Sequence, residues 1–295
     1  MRVFVTGASG WIGSHTVDEL LAHGHEVIGL ARSDAAAATL TAKNVTVLRG
    51  DLDDLDTLRR GAAGADAVVN LANKHDWADP AASNRAERAS VEAIAGVLAG
   101  TGRPFVFASG LAALAQGRPA TENDPSPFHG VDSPRGGAEN LALATEGLHA
   151  IAARFAPTTH GTGDHGFVAS LVAAARRTGV SGYLGDGSTS WSAVHVTDAA
   201  RLIRLGLERA PAGTRLHAAA ETVSNREIAE AIGRSLDLPV VAIDPQDAER
   251  HFGFIGRFFG LDMSASSAIT RAAFDWEPTG PTLVEDIAAG AYKDA

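Results

Sequence analysis

The stretch that most constrains this chain is its opening run, Met1-Arg-Val-Phe-Val-Thr6-Gly7-Ala-Ser-Gly10-Trp11-Ile12-Gly13-Ser14. Val3, Phe4 and Val5 form the unbroken apolar run of a strand covered on both faces, so Arg2 to Thr6 is predicted as β-strand. Gly7 can turn the chain without a Cβ penalty, and Gly10 lets a ligand come close to the backbone. Gly13 lets the next helix pack hard against the strand. That helix carries Val17, Leu20 and Leu21 as an apolar stripe. Its N-terminus presents unpaired N–H groups and the positive end of a helix dipole. A second strand, Glu26 to Ala31, completes a βαβ unit. With 32 glycines in 295 residues a triplet arises readily by chance, but its place between a strand and a striped helix is what a diphosphate site requires. Gly7, Gly10 and Gly13, with Trp11 and Ile12 between them, are therefore assigned to a dinucleotide, although Gly-x-x-Gly-x-x-Gly departs from the commoner Gly-x-Gly-x-x-Gly.

Composition narrows the class. A formal net charge of −10 argues against nucleic acid or an anionic membrane as partner. Cysteine is absent, which removes disulfides, thiolate nucleophiles and Cys-ligated metals. No apolar run approaches the roughly 20 residues of a membrane span, and the N-terminus does not read as a signal peptide. A cytoplasmic protein, monomer or homodimer, acting on a small molecule is expected.

The second strand ends in Arg32-Ser33, a charge donor and a hydroxyl donor suited to a ribose 2′-phosphate, although Asp34 follows; NADP is expected over NAD. After a third strand, Val45 to Leu48, Asp51 can accept from an adenine amino group while the Leu52 N–H meets a ring nitrogen, unless Asp51 merely caps the next helix. The fourth strand, Ala67 to Ala72, runs into Asn73-Lys74-His75-Asp76-Trp77 at the carboxyl end of a parallel sheet, where such folds bind ligands. Leu71, Ala72 and Asn73 are assigned to the cofactor. A helix from Pro80 to Leu98 places Ile94 and Leu98 on one face and Arg85, Glu87 and Arg88 elsewhere. Pro104 to Ser109 is a fifth strand. This order predicts an α/β fold with a doubly wound parallel sheet.

Gln116 to Gly137 holds four of the twelve prolines and reads as a functional loop. A helix is predicted from Ala138 to Arg154, another from Phe167 to Arg177, and a hairpin over Ser181 to Gly187. A helix from Thr197 to Glu208 is expected to be capped by Thr197. A strand lies near Arg215 to Ala218, a helix with a Ser224/Glu227 capping box follows, and Pro239 to Ile243 is a further strand before two short helices. Residues 1–160 and 190–218 are expected to form the dinucleotide-binding part, and 161–189 with 219–295 a smaller substrate-covering part.

Thr6-Gly7-x-x-Gly10-x-x-Gly13, Gly50-Asp51-Leu52, Asn70-Leu71-Ala72, Ser109 closing the fifth strand, Arg154-x-x-Pro157 and Ala193-Val-His195-Val-x-Asp198 together resemble the extended, epimerase/dehydratase-like branch of the short-chain dehydrogenase/reductase superfamily. The resemblance implies a Rossmann sheet, a nicotinamide cofactor bordered by Pro157 and His160, and a catalytic Tyr-x-x-x-Lys. That last element is missing. The two tyrosines, Tyr183 and Tyr292, have no lysine four residues on, and the only lysines are Lys43, Lys74 and Lys293. Where the pair is expected stands Pro134-Arg135-Gly136-Gly137-Ala138-Glu139.

The chemistry left is a nicotinamide hydride with another proton donor. Ser109 can donate to a carbonyl oxygen. His75, His129, His160 or His165 can supply a proton near neutral pH. Arg135 can anchor ribose or stabilise an oxyanion, and Glu139 can be an acid if buried. The expected activity is an NADP(H)-dependent oxidoreductase for a small carbonyl or hydroxyl compound. The alternatives are a silent NADP(H) sensor and an epimerase with transient hydride transfer. Trp77, His129, Tyr183, Trp191, Phe254 and Phe258 are candidates to line a site for a ring-bearing ligand. No metal is expected, since His160 and His165 sit in a glycine-rich loop without ligand spacing.

Overall fold

The computed structural model describes residues 1–293. Its strands are β1 (Arg2–Thr6), β2 (Glu26–Ala31), β3 (Thr46–Arg49), β4 (Ala67–Asn70), β5 (Pro104–Gly110), β6 (His149–Phe155), β7 (Thr158–His160), β8 (Ser181–Leu184), β9 (Ser190–His195), β10 (Thr214–Ala218), β11 (Glu221–Ser224) and β12 (Val240–Ile243). Its helices are α1 (Trp11–Ala22), α2 (Asp34–Ala42), α3 (Leu55–Ala63), α4 (Pro80–Leu98), α5 (Ala138–Ala144), α6 (Phe167–Thr178), α7 (Val196–Arg209), α8 (Asn225–Leu236), α9 (Ala248–Phe252), α10 (Gly256–Phe259), α11 (Ala268–Phe274) and α12 (Leu283–Ala289).

Seven strands in the order β10-β6-β5-β4-β1-β2-β3 make one parallel sheet. Successive side chains serve opposite faces. Val3 and Val5 join Val17 and Leu20 of α1 and Leu202 and Ile203 of α7 in one core, whereas Phe4 joins Leu58 of α3 and Ile94 and Leu98 of α4 in the other. Each such side chain contributes about 2 kcal/mol by leaving water. β1 lies between β2 and β4, so the winding reverses there, at the point of the carboxyl edge where folds of this kind form a ligand crevice. A three-stranded sheet, β11-β9-β7, and a parallel pair, β12-β8, enclose a third core built around α6, α8 and Trp191.

Several elements differ from the sequence expectation. The helix predicted over residues 138–154 is α5 followed by β6, with Gly147 at φ +71° in the turn between them. Ala150, Ile151, Ala152 and Ala153 are buried on both faces between β5 and β10, and this sheet context overrides the helical preference of alanine. Residues 181–187 form no hairpin, because β8 pairs in parallel with the distant β12. The cap of α7 is His195, whose ring accepts from the Thr197 N–H, rather than Thr197 itself. The Ser224/Glu227 capping box on α8 forms as expected. The segment after α8 holds four short helices, not two.

Candidate active site

At the head of the crevice the glycine positions differ in what surrounds them. Gly7 has φ +66°, and a Cβ there would lie 2.9 Å from the backbone of Leu71 and Ala72, so this glycine seats the β1 loop on the β4 loop. At Gly13 a Cβ would fall 2.0 Å from the Gly7 carbonyl oxygen. At Gly10 only that same oxygen lies close, at 3.2 Å, so the backbone there is open to an incoming group. Gly10 is the N-cap of α1 and no side chain caps the helix, which leaves its first N–H groups for an anion. The Trp11 indole donates to the Thr159 carbonyl at 2.7 Å, and the Thr6 hydroxyl accepts from the Ala72 N–H at 3.1 Å. These contacts hold the loops after β1, β4 and β7 against one another. The open backbone and the uncapped helix start fit the diphosphate of a dinucleotide.

At the end of β2, Arg32 is exposed and makes no hydrogen bond or ion pair among the described residues. Ser33 caps α2 by accepting from the Ala36 N–H. Asp34, the one residue that argues against a phosphate here, is ion-paired at 2.7 Å to Arg49, which also donates to the Ser33 carbonyl. Asp51 accepts from the N–H groups of Asp53 and Asp54 in a turn ahead of α3, and Leu52 is buried beneath it.

The other end of the crevice is built on buried charge. Ser109, at the end of β5 and buried, donates to Glu139 of α5 at 2.6 Å. Glu139 is held by Arg154 of β6, with Nη2 at 2.5 Å and Nε at 3.1 Å. Arg154 has no solvent exposure; its remaining Nη1 donates to His217 at 3.2 Å, and His217 in turn donates from Nδ1 to the Ser266 carbonyl. Burial acts to raise the Glu139 pKa, but the hydrogen bonds and charge of Arg154 outweigh it and hold the carboxyl below its usual range. Glu139 is therefore an ionised anchor for Ser109, and the acid role expected for it is not supported. Arg135 has a left-handed backbone (φ 55°) in a 3-10 turn, donates to the Ala108 carbonyl at 3.0 Å and pairs with Glu87 at 2.6 Å. Glu87 also accepts from Asn73 at 2.8 Å, and the side-chain Oδ1 of Asn73 accepts from the His75 N–H. Partial burial, then the positive field of Arg135 and of His165, lowers the His75 pKa below 6.5.

The sequence profile of the NAD dependent epimerase/dehydratase family matches residues 3–219. The chain belongs to that family. It is 43% identical over 294 residues to an uncharacterised protein of Schizosaccharomyces pombe, covering 99% of this chain and 100% of the other. It is 32% identical over 224 residues to the 4-hydroxy-2-methyl-3-oxo-4-farnesyl-3,4-dihydroquinoline-1-oxide ketoreductase of Stigmatella aurantiaca, covering 72% and 66% of the two chains. Its fold is similar to that of the dTDP-glucose 4,6-dehydratase of Streptomyces venezuelae with NAD bound, at TM-score 0.78, 24% identity and coverage of 99% and 96%. It is also similar to the Thermus thermophilus UDP-glucose 4-epimerase in complex with NAD, at TM-score 0.75, 22% identity and full coverage of both chains. The protein is an NAD(P)-dependent enzyme of the extended short-chain dehydrogenase/reductase type.

The contacts bring Gly7 against Leu71 and Ala72, Trp11 against Thr159, His75 against Asn73, and Arg135 against the strand that ends at Ser109. The His160 ring is buried and bonded to Asp286 at 2.6 Å, and His129 sits beside Asn140. Tyr292 is buried and donates to Asp164 at 2.7 Å, which raises its pKa through burial and the neighbouring carboxylate. Arg226 covers the Tyr183 ring at 4.3 Å. Trp191 is fully buried, whereas Trp77, Phe254 and Phe258 do meet, joined by Phe167. Sequence reasoning missed Glu87, Arg49 and the anchoring role of Arg154. Glu87 shares a face of α4 with Ser83, Ser90, Val91 and Ile94, a spacing that identifies it as inward-facing once that stripe is traced.

Proposed function

We propose that the enzyme reduces a small, ring-bearing carbonyl compound with NADPH, using a proton donor other than tyrosine. The observation that carries this reading is Ser109, fixed at the carboxyl edge of β5 by the buried Glu139–Arg154 pair, with the His75 loop tied through Asn73 and Glu87 to Arg135. The bound nicotinamide supplies the hydride, and the N–H groups at the start of α1 hold its diphosphate. The Ser109 hydroxyl turns from Glu139 to the substrate oxygen, a switch made easier because Glu139 keeps both bonds from Arg154. His75, neutral at pH 7, accepts the proton of a substrate alcohol in oxidation, and in its protonated form returns it in reduction. The Stigmatella ketoreductase, a relative that acts on a quinoline-derived ketone by its name, supports a ring-bearing ketone.

The preference for NADPH rests on Arg32, left without a partner at the end of β2, and on Arg49, which neutralises Asp34. Steady-state kinetics with each nucleotide test it. NADPH is expected to outperform NADH in kcat/KM, and Arg32→Ala should lower the NADPH value about 10- to 100-fold, as loss of a charge-assisted phosphate contact does, while sparing NADH. Equal use of both nucleotides, unchanged by Arg32→Ala, would contradict it.

A further inference from the structure

Four aromatic rings from separate segments meet where the β4 loop faces the C-terminal helices. Trp77 leaves the β4 loop, Phe167 opens α6, Phe254 lies in the turn after α9, and Phe258 is in α10. Trp77 stacks on Phe254 at 5.5 Å between ring centres, and Phe258 stacks on Phe167 at 5.5 Å. Phe167 rests in turn on the buried Trp191 at 5.7 Å. The lower rings are therefore fixed by the core, yet Trp77 and Phe254 stay 44% and 38% exposed. Exposed aromatics of this size, paired and supported from below, mark a binding surface more often than a chance of packing. The surface is linked to the reaction centre: the His75 ring lies 6.3 Å from Trp77, and the His75 loop is tied through Asn73 and Glu87 to Arg135, which bonds the carbonyl next to Ser109. Three cations near the rings are held in ion pairs. Lys74 pairs with Asp53 at 2.7 Å, Arg135 with Glu87 at 2.6 Å, and Arg257 with Glu249 at 3.1 Å. A diphosphate on the substrate would find no uncommitted cation among them.

We infer that the exposed faces of Trp77 and Phe254 form the substrate subsite for a flat, uncharged apolar ring, and that this chain does not take a nucleotide-diphosphate sugar. This rests on the carbonyl-reductase reading for the direction in which the ring presents its reacting group. Packing on the two rings selects flat substrates, while Ser109 and His75 act on the carbonyl carried by the ring.

The test uses the NADP⁺-loaded enzyme with 2-acetonaphthone and UDP-glucose as probes, reading binding by calorimetry and turnover by NADPH absorbance. The naphthyl ketone is expected to bind more tightly than UDP-glucose. Trp77→Ala and Phe254→Ala are each expected to raise its Kd and KM about tenfold or more, as loss of an aromatic anchor does, with kcat changed far less. Trp77→Phe should restore much of the binding, and an unchanged circular-dichroism melt with an unchanged Kd for NADP⁺ shows that the alanine variants are folded. Naphthyl binding that is absent, that survives both alanine substitutions, or that is weaker than UDP-glucose binding would overturn the inference. Trp77-dependent binding without reduction would support the ring subsite and count against the reductase reading. Reduction that ignores Trp77 and Phe254 would do the reverse.

Discussion

Glu139→Gln is the perturbation that most sharply probes the buried network behind Ser109. Arg154 has no solvent exposure, and its two bonds to Glu139, at 2.5 and 3.1 Å, are what balance its charge; His217 is held neutral by burial and offers only a lone pair. Removing the carboxylate charge leaves an uncompensated buried guanidinium, which costs about 3–5 kcal/mol. A chain of 295 residues has an unfolding entropy of about 0.6 kcal/mol per degree, so the melting temperature should fall by roughly 5–8 °C. Circular dichroism melts at pH 7 measure it. The double variant Glu139→Gln/Arg154→Met should regain most of the loss, because the fully buried guanidinium is gone and only the part-exposed Arg215, 3.5 Å from Glu139, still loses a partner. The pH dependence has a definite sign. The folded pKa of Glu139 is depressed, so its contribution is complete above the unfolded value of about 4.3 and is lost as pH falls through the folded one. The gap between wild type and Glu139→Gln should therefore narrow below about pH 4. A Glu139→Gln melt within a degree of wild type, or a double variant less stable than Glu139→Gln alone, would refute the reasoning.

Ser109→Ala should lower kcat about 10²- to 10³-fold, the usual cost of one oxyanion donor, with the Kd for NADPH unchanged by calorimetry. Gly13→Ala drives a Cβ to within 2.0 Å of the Gly7 oxygen; a displacement costing about 1–3 kcal/mol should weaken NADPH binding roughly 5- to 150-fold in fluorescence titration. With His75 as the proton carrier, kcat/KM for reduction should fall as pH rises through a value below 6.5, and that for oxidation should rise through the same value. His75→Gln should flatten both profiles in this range.

The nucleotide half was readable because its signals are local. The glycine spacing, the apolar runs of β1 and β2 and the capping box on α8 each depend on a few neighbouring residues and survive folding unchanged. β6 was misread because Ala150 to Ala153 become a strand only between β5 and β10, a pairing set by chain far away in sequence. The sequence sets Glu87 apart from the Ile94 and Leu98 face of α4, because its partners, Asn73 and Arg135, come from two other loops. The Arg135-Gly-Gly-Ala-Glu139 segment shows both limits. Its residues stood out where Tyr-x-x-x-Lys is expected, but their division of labour is a matter of tertiary contact, with Arg135 ordering the His75 loop and Glu139 anchoring Ser109. The aromatic surface had the same history: Trp77, Phe254 and Phe258 were singled out from the sequence, while Phe167, which seats them on Trp191, was not.

Hydride transfer from NADPH to a carbonyl in a chain without Tyr-x-x-x-Lys is tested most directly by isotope transfer. The enzyme is incubated with NADPH carrying deuterium at either face of nicotinamide C4, together with 2-acetonaphthone, and the alcohol is analysed by mass spectrometry. The account predicts one deuterium at the carbinol carbon from one of the two labelled forms, with NADP⁺ formed in equal amount. An alcohol without label from either form, or no net consumption of NADPH, would contradict it.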